Sequence, residues 1–569
     1  MKILVALVLL ALVAFPLVDE DAVYPQTVLL LAFLLAIQSV SWNIISGFAG
    51  YVSLGHSVFL GIGAYTAGIL STRWGVNPLV LAPLSGVVAV LVAVLVGSVV
   101  LRAKGPAFVI ITIALLLVFQ LLTLNIPALT NGSDGITLEL PPWSSNTPFY
   151  YMFLGLLVVT FAVSAWIRRT KFGTGLVAIR EDEGKAAAIG IPTTLYKNLA
   201  YAASAFFVGV AGAVYAYFLT FLNPLGAFNI LTSVMVVLGA LVGGRGTLWG
   251  PVVGAFIVSF VGEAATSYGG ESQSRLVIFG VALVVIVLFL PDGILPGLAR
   301  KKEKVSFVGE LERRPVEVRP REAAPGNLLE LRHVHKSFGG LNAVNGVDLA
   351  VPQGSITALI GPNGSGKTTL FNLITGTYGP NLGSVWFDGV RIDGKQPWNR
   401  AHLGLGRTFQ VTRLFKSMTV LENVVAPLGG FRPAVLASSA VAGHEADRAR
   451  ELLSFVGLGE FTSQRAGALS YGQQKLVELA QVLMLEPRLV LLDEPAGGIN
   501  PGLVDRMVGI IRELNRQGVT FLVVEHNIPL VLDLCDPVFV LARGEVLASG
   551  PPSLIRADPA VLDAYLGAA

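Results

Sequence analysis

Cysteine is almost absent. Cys535 is the only one in 569 residues, which excludes an intramolecular disulfide and a cysteine-based zinc cluster and leaves the thiol a small packing group. Charge is also scarce, at 14% of residues, and the net +3 is spread without a basic stripe, so no nucleic-acid partner is expected. The scarcity is uneven. Residues 1–300 hold 13 Lys/Arg and 11 Asp/Glu, whereas residues 301–569 hold 27 and 26. Only the second part has the charge density of an ordinary globular domain. With 53% hydrophobic residues overall, these counts exclude disorder, collagen and a single soluble core. They describe a membrane half followed by a soluble half.

A bilayer core about 30 Å thick needs roughly 20 apolar residues per helix. Ten segments qualify: 3–18, 25–47, 51–71, 78–101, 106–125, 148–167, 195–222, 228–243, 247–262 and 276–296. The eighth and ninth are short and Gly-rich, the pattern of a broken or re-entrant helix buried in protein. Basic residues collect after the fourth segment (Arg102, Lys104), the sixth (Arg168, Arg169, Lys171, Arg180, Lys185, Lys197) and the tenth (Arg300, Lys301, Lys302, Lys304). The 126–147 loop has none, so the positive-inside rule places both termini in the cytoplasm. Lys2 and the run after it resemble a secretory signal, but Phe15-Pro16-Leu17-Val18-Asp19 offers no small-x-small cleavage site, and a retained first helix is expected. Polar residues inside spans are expensive and tend to face a cavity or a partner. Asn43, Ser53 and His56 are therefore the substrate-site candidates, with hydrogen-bonded packing the competing role for His56.

The stretch Trp42-Asn43-Ile44-Ile45-Ser46-Gly47-Phe48-Ala49-Gly50-Tyr51-Val52-Ser53-Leu54-Gly55-His56, continued by Gly61-Ile62-Gly63-Ala64-Tyr65-Thr66, resembles the permease subunits of branched-chain amino acid ABC importers. Asn131-Gly132-Ser133-Asp134-Gly135-Ile136, Ile179-Arg180-Glu181-Asp182-Glu183 and Gly243-Gly244-Arg245-Gly246-Thr247-Leu248-Trp249-Gly250-Pro251 agree with that family. Leu176–Gly190 is expected to form a short helix, and the resemblance implies that it docks in a groove of an ATPase domain.

Residues 299–327 are dense in charge and proline and read as a linker. Fully extended it would reach about 95–100 Å, too far to decide which ATPase lies beneath which permease. The strand Ser355–Ile360 then runs into Gly361-Pro362-Asn363-Gly364-Ser365-Gly366-Lys367-Thr368, followed by Thr369. This is a GxxxxGKT phosphate loop in strand–loop–helix context, whose backbone N–H groups cradle phosphates. Lys367 would reach the β/γ-phosphates of ATP and Thr368 would hold Mg²⁺. A second apolar strand, Leu489–Leu492, ends in Asp493 and Glu494. Asp493 is placed for Mg²⁺ and Glu494 for general-base work on water.

Leu469-Ser470-Tyr471-Gly472-Gln473 resembles the ABC signature, whose common form is LSGGQ. The resemblance implies that Ser470, Gly472 and Gln473 meet the γ-phosphate held by an opposite ATPase domain. It also makes Gln410, in Arg407-Thr408-Phe409-Gln410, the Q-loop residue acting in catalysis and on Mg²⁺, and His526, in Val523-Val524-Glu525-His526, the switch histidine. Phe338 fits the aromatic that stacks on adenine. Tyr471 in place of a signature Gly, and Asn500 in place of a common Asp, depart from the general pattern without removing a catalytic group.

The expected architecture is a polytopic all-α membrane domain (1–298), a charged cytoplasmic linker (299–327) and an α/β P-loop ABC ATPase (328–569) with a helical subdomain at 411–468. By resemblance the chain imports branched-chain or related hydrophobic amino acids across the cytoplasmic membrane. One chain supplies one phosphate loop and one signature. A second permease and a second ATPase, non-identical by resemblance, would complete the machine with an extracytoplasmic substrate-binding protein. The alternatives are another small substrate (an amide, urea or an aromatic acid), an exporter half-transporter, or a nucleotide sensor. Ten spans speak against the exporter, and intact Lys367, Asp493, Glu494 and His526 against the sensor.

Overall fold

A computed structural model of the chain describes residues 2–18, 22–269 and 326–566, with isolated positions between 277 and 295. About half of the tenth segment and nearly all of the linker fall outside the described residues. The chain forms two compact units: Met1–Arg169 with Thr194–Lys302, and Thr170–Thr193 with Glu303–Ala569.

The first unit is helical. Six helices among the described residues are long and apolar enough to cross a membrane: Val23–Phe48, Pro78–Val100, Pro106–Asn125, Thr147–Arg168, Thr193–Leu219 and Pro224–Gly243. They correspond to six of the ten expected segments. The first and ninth lie in the helices Lys2–Val18 and Gly250–Gly269, whose apolar stretches, Ala6–Val18 and Gly250–Ala265, are shorter. Val23–Trp42 is the central helix, packing against Thr147–Arg168, Ile230–Gly243 and Gly250–Gly269.

The third segment needs correction: its helix is Val58–Trp74, and residues 50–57 are not helical. A non-helical backbone at membrane depth is tolerated only when protein groups satisfy it. Here they do. Ser46 Oγ donates to the Tyr51 carbonyl (2.8 Å) and accepts from Ser53 N–H (3.3 Å). Trp42 Nε1 donates to the Ser53 carbonyl (2.7 Å), and Leu54 N–H donates to Thr112 Oγ1 (3.1 Å).

The second unit holds a six-stranded sheet in the order Glu545–Gly550, Val538–Ala542, Ile356–Ile360, Thr520–Val524, Leu489–Asp493, Leu405–Arg407. All its pairs are parallel except the Glu545–Gly550 edge. Strands Ile356–Ile360, Leu489–Asp493 and Thr520–Val524 are buried at every position, as parallel strands covered on both faces must be. An antiparallel four-stranded sheet, led by Asn327–Phe338 and Leu341–Pro352, closes a second core over one face. Short helices between 420 and 468 pack on the helix Tyr471–Leu483 in the other core.

Residues 170–193 belong to this second unit. The single helix expected over 176–190 is two, Lys171–Glu181 and Glu183–Ala188. Asp182 breaks it with an extended backbone (φ −155°, ψ 104°) and caps the second helix by accepting Lys185 N–H (2.8 Å). Lys185 reaches Glu478 at 2.7 Å with both side chains buried. Lys171 reaches Glu445 at 2.9 Å and the Val425 carbonyl at 2.6 Å. Burial pushes the Lys171 ammonium below its ordinary value, and Glu445 opposes that shift. His402 Nε2 lies 2.8 Å from the Gly190 carbonyl.

In the first unit, helix crossings depend on absent side chains. A Cβ at Gly63 would lie 2.0 Å from the Gly209 carbonyl oxygen, a backbone atom that cannot swing away. Gly155, by contrast, has open space around it. Gly63→Ala should therefore destabilise the protein by about 1–3 kcal/mol or more, and Gly155→Ala should be neutral or slightly stabilising. Thermal unfolding in detergent distinguishes them; equal midpoints for both variants would contradict the close crossing.

Candidate active site

Four parallel strands end side by side, and each hands over one part of the site. Register places Val524 opposite both Asp493 and Leu359, so the residues that follow emerge at one level. Ile356–Ile360 leads into the phosphate loop and the helix Lys367–Thr375. Leu489–Asp493 leads into Glu494, Thr520–Val524 into Glu525 and His526, and Leu405–Arg407 into Phe409 and Gln410. Ligands bind outside the carboxyl ends of such strands.

A cavity of about 580 Å³ opens there. Asn363, Gly364, Gly366, Lys367, Thr368 and Thr369 line it together with Gln410, Glu494 and His526. Its volume falls in the range of small-molecule and cofactor sites. Gly366 shows why the loop needs glycine: its φ is +103°, and a Cβ would lie 2.3 Å from the Ala343 carbonyl. Lys367 Nζ is held by the carbonyls of Gly361 and Pro362, each at 2.8 Å, and by Ser365 Oγ at 3.4 Å. Burial lowers its affinity for a proton, while the nearby carboxylates of Glu494 and Asp493 raise it.

Glu494 sits in the left-handed region at φ +48°, a conformation that costs a non-glycine residue free energy and marks many functional sites. Its Oε1 accepts from Gln410 Nε2 (2.8 Å) and lies 3.1 Å from His526 Nε2. These three predicted residues meet at one oxygen. Asp493 lies deeper, only 5% exposed, with Arg407 Nη2 at 3.5 Å. Burial pushes its carboxyl upward, Arg407 pulls it down, and neighbouring Glu494 pushes it up again.

Ser470, Gly472 and Gln473 do not line this cavity. Ser470 caps the helix Tyr471–Leu483 in a reciprocal box with Gln473 (Gln473 N–H to Ser470 Oγ, 3.4 Å; Ser470 N–H to Gln473 Oε1, 2.9 Å). Gly472 is buried; a Cβ there would meet Leu503 at 2.6 Å. Phe338 is also outside the cavity lining, edge-on to Tyr378 at 5.2 Å with Lys336 Nζ 5.3 Å from its ring.

Among the substrate-site candidates, Asn43 spends its amide on backbone: Nδ2 donates to the Thr247 carbonyl (2.8 Å) and Oδ1 accepts from Gly246 N–H (2.7 Å). Ser53 belongs to the non-helical stretch and is fully buried. His56 is buried with its ring edge-on to Phe59 at 5.4 Å.

Four groups that sequence reasoning did not assign support the site. Arg407 holds Asp493 and also donates to Asn372 Oδ1 (2.7 Å) and Thr375 Oγ1 (3.0 Å). Lys475 donates to the carbonyls of Glu494 (2.5 Å) and Gly497 (2.8 Å). Glu525 accepts from Ala496 N–H (2.7 Å) and His526 N–H (3.0 Å). Tyr471 hydroxyl donates to the Gln410 carbonyl (3.0 Å). Arg407 and Glu525 stand inside the motifs already quoted, where a buried charge beside a functional residue was the available signal.

Comparison with known proteins identifies the family of each half. Residues 24–288 match the family model of the branched-chain amino acid transport system permease component. Residues 344–497 match the ABC transporter model, and 545–569 the model of the branched-chain amino acid ATP-binding cassette transporter. The high-affinity branched-chain amino acid transport ATP-binding protein BraF of Pseudomonas aeruginosa is 41% identical over 254 residues, 42% of this chain and 98% of that protein. The probable branched-chain amino acid transport ATP-binding protein LivG of Archaeoglobus fulgidus is 40% identical over 248 residues, 42% of this chain and 96% of that protein. The corresponding high-affinity LivG protein of Escherichia coli is 39% identical over 251 residues, 42% of this chain and 98% of that protein. The chain therefore belongs to the branched-chain amino acid ABC transport family, with a permease component and an ATP-binding component on one polypeptide.

Proposed function

We propose that the chain is one permease–ATPase half of an importer for branched-chain or similar hydrophobic amino acids in the cytoplasmic membrane. The observation that carries the reading is the convergence of Gln410, Glu494 and His526 in one cavity with the phosphate loop. ATP would lie with its phosphates on residues 361–369, Lys367 leaving its loop carbonyls for the β/γ-phosphates, and its adenine against Phe338. Glu494 would take the proton of the attacking water, held by Gln410 and His526.

Mg²⁺ fits the donor set. Asp493 is a buried carboxylate only partly compensated by Arg407, set behind the cavity lining to which Thr368 contributes its hydroxyl. No group of three or more His, Cys, Asp or Glu among the described residues could hold a metal unaided, which suits an ion that arrives with phosphate oxygens. Gln410 would approach the same ion. The bound ion would neutralise charge on the transferring phosphoryl group.

The signature residues lie outside the cavity; in the proposed assembly a facing ATPase domain would supply its own signature to this site, and this chain's signature would serve the other. A second permease–ATPase pair, non-identical in the favoured assembly, and an extracytoplasmic binding protein are the partners. The substrate passes through the lipid-embedded helices.

Two measurements test this. Glu494→Gln should keep ATP binding in the assembled complex while lowering turnover by at least about 10²-fold; unchanged turnover removes Glu494 from the base role. An extracytoplasmic binding protein that partners this chain should bind leucine, isoleucine or valine in calorimetry and, so loaded, raise the ATPase rate of reconstituted complex. Stimulation by urea, an amide or an aromatic acid alone would replace the substrate assignment.

A further inference from the structure

The 170–193 loop carries two lysines that end in protein rather than in water. Lys185 has no exposed side-chain surface, Glu478 has 1%, and the two lie 2.7 Å apart. The Lys185 ammonium also stands 5.1 Å from the centre of the Phe409 ring, the residue preceding Gln410. Lys171, 3% exposed, pairs one helix earlier with Glu445, whose side chain is 27% exposed, so of these two only the Lys185 pair is buried on both sides.

A buried ion pair adds little net stability, but a buried charge that loses its partner is strongly unfavourable. Such a pair therefore discriminates more than it binds. We propose that Lys185 is a specificity-determining residue. Its buried pairing with Glu478 makes the 170–193 loop accept an ATPase domain that carries a carboxylate at this position of the helix after the signature, and reject one that does not.

The need for a selector follows from the proposed assembly, which holds two ATPase domains. A 29-residue linker that can extend about 95–100 Å leaves the choice between two ATPase domains open, so discrimination has to reside in the contact. Glu478 is also well placed to report a correct match. It lies on the same helix as Lys475, whose ammonium holds the carbonyls of Glu494 and Gly497. The inference rests on the importer reading for its second ATPase, but its test reads docking and not transport.

The protein suits a thiol test because its single cysteine, Cys535, is buried. Glu181 and Ser417 side chains touch at the edge of the same contact. The full chain carrying Glu181→Cys and Ser417→Cys should therefore form an intrachain cross-link under mild oxidation in membranes. Lys185→Glu and Glu478→Lys should each slow that cross-link by about tenfold or more, the scale of an unpaired buried charge. The double exchange should return the rate to within about threefold of the parent, since the pair is re-formed with reversed polarity. Single reversals that cross-link as fast as the parent overturn the proposal. So does a double exchange no faster than the single variants, which would mark a site sensitive to any substitution. A chain with the expected cross-linking pattern but no amino-acid-stimulated ATPase would count against the importer reading and leave the selector standing.

Discussion

The second unit depends on the register of three central parallel strands. Val524 pairs with Asp493 on one side and with Leu359 on the other, so the phosphate loop, Glu494 and His526 leave the sheet at a common level. A slip of one residue would turn every side chain of a strand to the opposite face, and these strands are buried on both. Register is therefore enforced by the cores on either side. Glu494 N–H still bonds the Val524 carbonyl (2.9 Å), continuing the ladder by one step. Its chain then turns into the left-handed region. The strain falls on the residue whose carboxylate has to face the cavity.

Buried cations hold this edge in place. Lys367, Lys475 and Arg407 are all buried within reach of Asp493 or Glu494. Burial lowers the proton affinity of each, and the surrounding carboxylates oppose the shift. Each cation also has oxygen partners: loop carbonyls for Lys367, the 494–497 carbonyls for Lys475, Asn372 and Thr375 for Arg407. Removing one member of such a set costs about 3–5 kcal/mol. This is why the carboxylates stay where chemistry needs them, close together and close to lysine.

What the sequence disclosed and what it withheld divide by distance along the chain. The phosphate loop, the Asp493–Glu494 strand end and the signature are contiguous, and their chemistry follows from neighbours within ten residues. The break before Val58 was hidden because residues 51–57 are apolar enough to pass for a span, while Trp42, Ser46 and Thr112 supply the hydrogen bonds that allow it. Asn43 attracted attention as a polar group in a span, but its amide is bound to backbone some 200 residues later. Lys185 read as one more inside-facing positive charge; its partner lies 293 residues away. The kink at Asp182 was legible in principle, since Asp favours a helix cap over a helix interior.

Tyr471 adds a last step. It was noted only as a departure from the usual signature, yet its hydroxyl binds the Gln410 carbonyl while the Gln410 amide binds Glu494. Ser470 and Tyr471 themselves are exposed at the start of a 13-residue helix, the end that favours an anion. The signature offered outward is thus tied through one residue to the carboxylate at the chain's own cavity. In the proposed assembly, a nucleotide that reorders Gln410 would alter the signature surface offered to a facing domain. A glycine in place of Tyr471 would have no side chain to make that connection.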